Sequence, residues 1–249
     1  MRIPFITAFA LFFIFSCKPD FNSTKAESQN PKSYPSINKV KSLITIDGHA
    51  TEDAWNATEW RALDQLWHGT MPTKEDFSGK YKLTWDEDHI YVLAEIHDDI
   101  LIDTHEDGLV NYWDDDCLEL FIDENNSDGN HQFNHSAYAY HIATNLRVAD
   151  IGVDSLPLYL DHHLRTAKVT QGNKTTWEVA VKIWSENPSV RGKARKLKLG
   201  EDIGFAVAYC DNDNSEEREH FMGSNIIEGK DKNRGWIDAG VFNNWTLIE

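Results

Sequence analysis

The stretch from Trp113 to Asn134 reads WDDDCLELFIDENNSDGNHQFN and gathers an indole, three consecutive aspartates, a strand-like alternation and a loop of Asp, Asn and Gly. An indole can cover the C–H face of a pyranose, while carboxylates and amides address the hydroxyl rim. Trp113 sits in loop-like polar surroundings, as does Trp236 in NRGWIDAG. Trp177 and Trp184 lie in or beside an apolar strand and read as core. With Leu118 and Leu120 on one face of a strand, Glu119 points to the other. It is read either as a solvated outer-face carboxylate or as an acceptor for sugar hydroxyls.

The loop itself raises a metal. Asp123, Asn125 and Ser127 fall at positions one, three and five of an EF-hand, but Gly129 comes one place late and Asn134 stands where the bidentate Glu belongs. A calcium site outside that motif, using Asp123, Asn125 and Asp128, stands against a polar hairpin loop. The acidic runs Asp114–Asp116 and DNDN (211–214) pose the same choice. His131 and His135 share a face, but zinc needs a third ligand.

These groups must be placed by strands. The runs 80–85 with 89–98, 137–144 with 147–152, and 164–170 with 175–183 read as hairpins, while 117–123, 203–210 and 245–249 read as further strands. One short helix is expected over 51–58, with Thr51 as its N-cap. Many short strands with turn signals between them predict an all-β fold, an antiparallel β-sandwich of jelly-roll or immunoglobulin-like type with few short helices.

The N-terminus reads as an address. Residues 1–16 carry Arg2 and then an apolar run too short to span a bilayer, which is the pattern of a signal peptide. The ending IFSC resembles a bacterial lipoprotein processing box, with Cys17 lipidated. Residues 17–36 are polar and punctuated by proline, a flexible tether to a domain over 37–249. The expected place is the bacterial outer membrane, held by lipid chains. A formal charge of −17 disfavours nucleic acid. In an oxidising compartment Cys117 and Cys210 are either a disulfide or two buried thiols.

LITIDGHATEDAWNAT, KLTWDEDHIYVLAEIHDD, YWDDDCLELFIDENN and NRGWIDAGVFNNWTLIE occur in this order. Together they resemble the family 9 carbohydrate-binding modules, a β-sandwich group of the wider DOMON-like type. The resemblance implies sugar binding without catalysis, with structural calcium. It places the sugar between Trp113 and Trp236, with Glu119 and Asn233 as polar contacts. The family's arginine in the strand after the Asp/Asn loop has no counterpart in HQFNHSAYAYH.

Three functions follow. The first is a non-catalytic lipoprotein holding glycan or oligosaccharide for envelope glycan-degrading enzymes or transporters in carbohydrate catabolism. It fits the absence of nucleophile, metalloprotease and phosphate-loop motifs. The second is a glycoside hydrolase using two carboxylates such as Glu119 and Glu178. The third is a haem-binding electron-transfer domain with Met222 as an axial ligand.

Overall fold

The structure, a computed structural model, describes residues 34–105, 107–185 and 193–249. The expected signal peptide, Cys17 and the tether up to residue 33 lie outside the described residues. In chain order the first strands are β1 (Ser36–Asn38), β2 (Arg61–Leu63), β3 (Gln65–Gly69), β4 (Phe77–Trp85), β5 (Ile90–Asp98), β6 (Cys117–Asp123), β7 (Tyr138–Ala143) and β8 (Val148–Ile151). The remainder are β9 (Pro157–Tyr159), β10 (Leu164–Gln171), β11 (Lys174–Val181), β12 (Ile183–Trp184), β13 (Ala194–Arg195), β14 (Asp202–Asp211), β15 (His220–Gly223) and β16 (Asn243–Ile248).

The alternating runs form two facing sheets. The larger runs β1-β16-β14-β6-β7-β8-β9, with β15 also on β14 and β3 on β15. The smaller runs β10-β11-β5-β4-β2. The three expected hairpins are β4/β5, β7/β8 and β10/β11. Pairing within both sheets is antiparallel except for β1, which lies parallel on β16. β14 is long enough to serve three neighbours. Asp202 to Phe205 pair with β16, Ala208 to Asp211 pair with β15, and β6 runs along the other edge.

The core lies between the layers. Leu118, Leu120, Phe205, Val207 and Tyr209 from the larger sheet meet Tyr81, Leu83, Trp85, Val92, Trp177 and Val179 from the smaller. Full burial of such side chains is worth about 1.5–3 kcal/mol each for the aliphatic ones. A second cluster covers the outside of the larger sheet, where Trp67, Phe121, Phe221 and Phe242 pack over Ala206, Ala208 and Ala139.

One helical turn, α1 (Asp53–Asn56), seals the outside of the smaller sheet, where Ala54 and Trp55 pack on Tyr91, Leu93 and Ala180. Its N-cap is Glu52 rather than the expected Thr51, with no side-chain cap bond. Glu52 instead accepts the Thr45 amide at 3.1 Å. So short a helix is held by its packing and not by propensity. Among the described residues, no helix is long and apolar enough to cross a membrane.

Candidate functional site

Strand alternation builds the floor of the site. Leu118, Leu120, Tyr140 and Ile142 enter the core, so Cys117, Glu119, Phe121, Ala139 and His141 face outward. Register puts Glu119 opposite His141 on one side and Ala208 on the other. Ala139, small where a larger side chain would intrude, helps to leave a hollow here. The hollow is a cavity of about 380 Å³ lined by Tyr112, Trp113, Glu119, His141, Arg218 and Trp236, among others. That volume is within the range of small-molecule sites, about 300–1,000 Å³.

Two loops supply the aromatic walls. Trp113, on the connection from β5 to β6, is 40% exposed, and Trp236 is 39% exposed. Tyr112 props Trp113 with ring centroids 5.0 Å apart and sets its own edge against His141 at 4.7 Å. The loop of Trp236 is tied down by His131, whose Nε2 meets the Gly235 carbonyl at 2.7 Å and whose amide donates to Ile237 O at 2.9 Å. Gly235 lies over Phe121, and a Cβ there would come within 3.2 Å of its ring.

The polar floor is a charge-paired network. Glu119 Oε1 accepts from Arg218 at 3.2 Å and from the Cys210 thiol at 2.9 Å, and it meets His141 Nε2 at 3.1 Å. Arg218 also donates to Asn233 Oδ1 at 2.9 Å, tying Asn233 to the same network. Its guanidinium lies 4.1 Å over the Phe221 ring. Burial would push Glu119 up, but His141, Arg218 and Cys210 outweigh it and hold the carboxylate below its usual range. Asp150, also lining the cavity, is pushed up to about 7, chiefly by burial. Its oxygens accept the amides of Ala139 and Ile151.

Trp113, Glu119, Trp236 and Asn233 all line this one cavity. Arg218, His141, Asp150 and Tyr112 were not expected there. The strand after the Asp/Asn loop, β7, presents His141, and the guanidinium in the cavity is that of Arg218, two residues ahead of β15. Its sequence signal is slight, a basic residue in EEREHFMG.

Other expectations change. Glu178 lies on the outside of the smaller sheet, where it accepts from Gly48 N at 2.8 Å and Trp55 Nε1 at 2.9 Å, so it does not pair with Glu119. Met222 is buried in the interlayer core and offers no axial ligand at a surface. His131 and His135 go to different carbonyls, those of Gly235 and Ile151. Cys117 and Cys210 stand opposite each other on β6 and β14, yet both are free, buried thiols with no disulfide. In the Asp/Asn loop, Asp123 accepts the amides of Asn125 and Asp128, and Asn125 accepts that of Ser127. These are the contacts of a self-capped turn.

Buried carboxylates also converge at one end of the sandwich. Because β6 and β14 are antiparallel, the acidic runs before Cys117 and after Cys210 fall at the same end of the sandwich. Asp116 and Asp211 from the larger sheet meet Asp98 from the smaller one, their oxygens within 4.8 Å of one another. Asp98 accepts from Tyr209 Oη at 3.0 Å, and Asp116 accepts the amides of Ile102 and Asn212. Both oxygens of Asp211 are buried without a partner. Burial, followed by the neighbouring aspartates, pushes Asp116 up to about 9 and Asp211 up to about 8.

A β-sandwich bearing an aromatic-walled cavity with a paired polar floor defines a class, the carbohydrate-binding modules. The chain belongs to the carbohydrate family 9 binding domain-like family, whose profile matches residues 46–249. It is 27% identical over 209 residues to endo-1,4-beta-xylanase A of Thermotoga neapolitana, covering 82% of this chain and 17% of the xylanase. To the enzyme of the same name from Thermotoga maritima it is 26% identical over 242 residues, covering 92% and 20%. The chain thus spans about a fifth of the length of these curated relatives. Its fold resembles a carbohydrate-binding module of family 9 from Caldicellulosiruptor kristjanssonii solved in complex with cellotriose. The TM-score is 0.61 at 20% identity, over 86% of this chain and 93% of that one. The same module in complex with glucose gives 0.60 at 20% identity, over 85% and 95%.

Proposed function

We propose that the protein holds a glycan or oligosaccharide without cleaving it, stacked on Trp113 and Trp236, with Glu119, Arg218 and Asn233 addressing its hydroxyls. The observation that carries this reading is one cavity that joins two half-exposed tryptophans to a buried, charge-paired floor. An indole left this exposed contributes little to a core, while its face suits a pyranose. The similar module solved with cellotriose and glucose makes gluco-oligosaccharides the first ligands to try. Calcium belongs to this reading at Asp98, Asp116 and Asp211, where two orphaned oxygens of a buried carboxylate fit a hard cation that takes oxygen ligands. The ion would neutralise carboxylates drawn from both layers. Exported and lipidated at Cys17, the protein would present glycan at the outer membrane to degrading enzymes or transporters.

Calorimetry against cello- and xylo-oligosaccharides tests this, with calcium and with EDTA. Saturable binding is expected, weakened at least about 30-fold by Trp113→Ala, the scale of a 2 kcal/mol hot spot. No new reducing ends are expected after prolonged incubation. Wild-type protein that binds no glycan with calcium present would overturn the reading, and release of shorter sugars would favour the hydrolase.

A further inference from the structure

Beside the three buried carboxylates lies a histidine that the sugar site does not use. His220 opens β15 directly opposite Asp211 on β14, and cross-strand partners of this kind hold their side chains in reach of each other. Asp76, from the turn that leads into β4, closes the group. One ligand atom from each of Asp76, Asp211 and His220 lies within 4.8 Å of the others.

Three observations point to a cation site. First, Asp211 is 1% exposed, and neither of its oxygens has a hydrogen-bond partner. Asp76 Oδ1 and Asp213 Oδ1, in the same neighbourhood, are buried without partners too. Leaving such groups unmet is costly.

Second, His220 is held with its outer nitrogen toward a carboxylate. Its Nδ1 meets the Thr70 carbonyl, which can only accept, and lies 3.5 Å from Thr70 Oγ1. Nε2 faces Asp76 Oδ2, 3.2 Å away. A proton on Nε2 satisfies that contact as an ion pair, and a metal ion bound to both atoms satisfies it as well. A metal-bound histidine orients itself in this way, with its other N–H on a carbonyl or carboxylate.

Third, the spacing suits a common ion. Ligands at roughly 2.0–2.2 Å from a tetrahedral zinc stand roughly 3.3 Å from one another. The 3.2 Å between Nε2 and Oδ2 is of that size.

We propose that Asp76, Asp211 and His220 form a second cation site that takes a borderline transition-metal ion such as Zn²⁺. The imidazole nitrogen makes it unlike the all-oxygen group of Asp98, Asp116 and Asp211. Asp211 belongs to both groups. Three protein ligands leave a fourth place for water.

The test strips the purified protein with chelator and titrates Zn²⁺ by calorimetry, with Co²⁺ absorption in the visible as a report on the ligand field. The expected result is one zinc per chain with a tetrahedral Co²⁺ spectrum. His220→Ala and Asp76→Asn should each lose at least tenfold in zinc affinity, and in both the rise in Tm with Ca²⁺ should persist. Asp76→Asn is isosteric and partly exposed, and it keeps the test open where His220→Ala fails to fold. Zinc uptake unchanged in the folded variants, or no stoichiometric uptake by wild type, overturns the proposal. Loss of the calcium response alone would count against the oxygen site and leave this one standing.

Discussion

At the scale of single residues, the pair Arg218–Glu119 decides most about the cavity. Both side chains are nearly enclosed, and each offsets part of the other's burial, with His141 the larger partner of Glu119. Breaking a buried pair by removing one partner typically costs about 3–5 kcal/mol. Arg218→Ala is therefore expected to lower Tm as well as abolish sugar binding, read by calorimetry and thermal melting. Arg218→Lys keeps the charge but loses the fork that reaches Glu119 and Asn233 together. It should fold near the wild-type Tm and bind sugar at least tenfold more weakly. Trp113 was legible in the sequence as an indole in a polar loop, whereas Glu119 between two leucines fits ordinary strand alternation and was singled out only by the family resemblance. Arg218 was not, because it lies 99 residues from Glu119 and nothing local marks a basic residue in an acidic loop.

At the scale of elements, the floor depends on how β3 and β15 are laid against β14. Trp67 of β3 crosses to sit edge-on to Phe121 at 5.7 Å and to Phe221 at 5.3 Å. It passes directly over Gly223 of β15, where a Cβ would fall 2.0 Å from the indole. Gly223→Ala must push Trp67 aside and disturb the ring that carries Arg218. The expected outcome is a loss of about 1–3 kcal/mol in denaturant unfolding, the cost of overpacking, together with weaker sugar binding. The long hairpins were readable because eight or nine alternating residues leave little ambiguity. β3 and β15 were not, since they are only five and four residues long and take their strand geometry from β14. The short helix at 51–58 shrank to four residues for the complementary reason, because packing on Tyr91 and Leu93 needs only Ala54 and Trp55.

At the scale of the whole molecule, the aspartates at one end of the sandwich set a pH dependence. Asp116 at about 9 and Asp211 at about 8 stand above the ordinary carboxylate value of 3.8 because burial favours the neutral acid. Without a cation, the folded state keeps protons there that the unfolded chain has released. Stability must then fall as pH rises through these values, by up to roughly 1.4 kcal/mol per pH unit for each such proton. His163, pulled down to about 3 chiefly by burial, works the other way below neutrality. The clean window is therefore pH 7 to 9. Chelated protein should lose Tm across it, while calcium should flatten or reverse the loss. A flat profile in EDTA would mean that these carboxylates are ionised at neutral pH. The sequence showed both acidic runs but not that they meet, since that depends on the direction in which β14 passes β6.

The same strand pair has one more consequence. Cys210 and Asp211 are neighbours in the chain, as are Asp116 and Cys117, and alternation turns each member of a pair to a different side. The thiols look toward the sugar floor and the carboxylates toward the cluster. No intervening layer separates the two. A sugar on that floor and a cation at those carboxylates would therefore sit on the two faces of the same strand pair. Any coupling between them would be reciprocal, the factor by which a cation raised affinity for sugar being the factor by which sugar raised affinity for the cation.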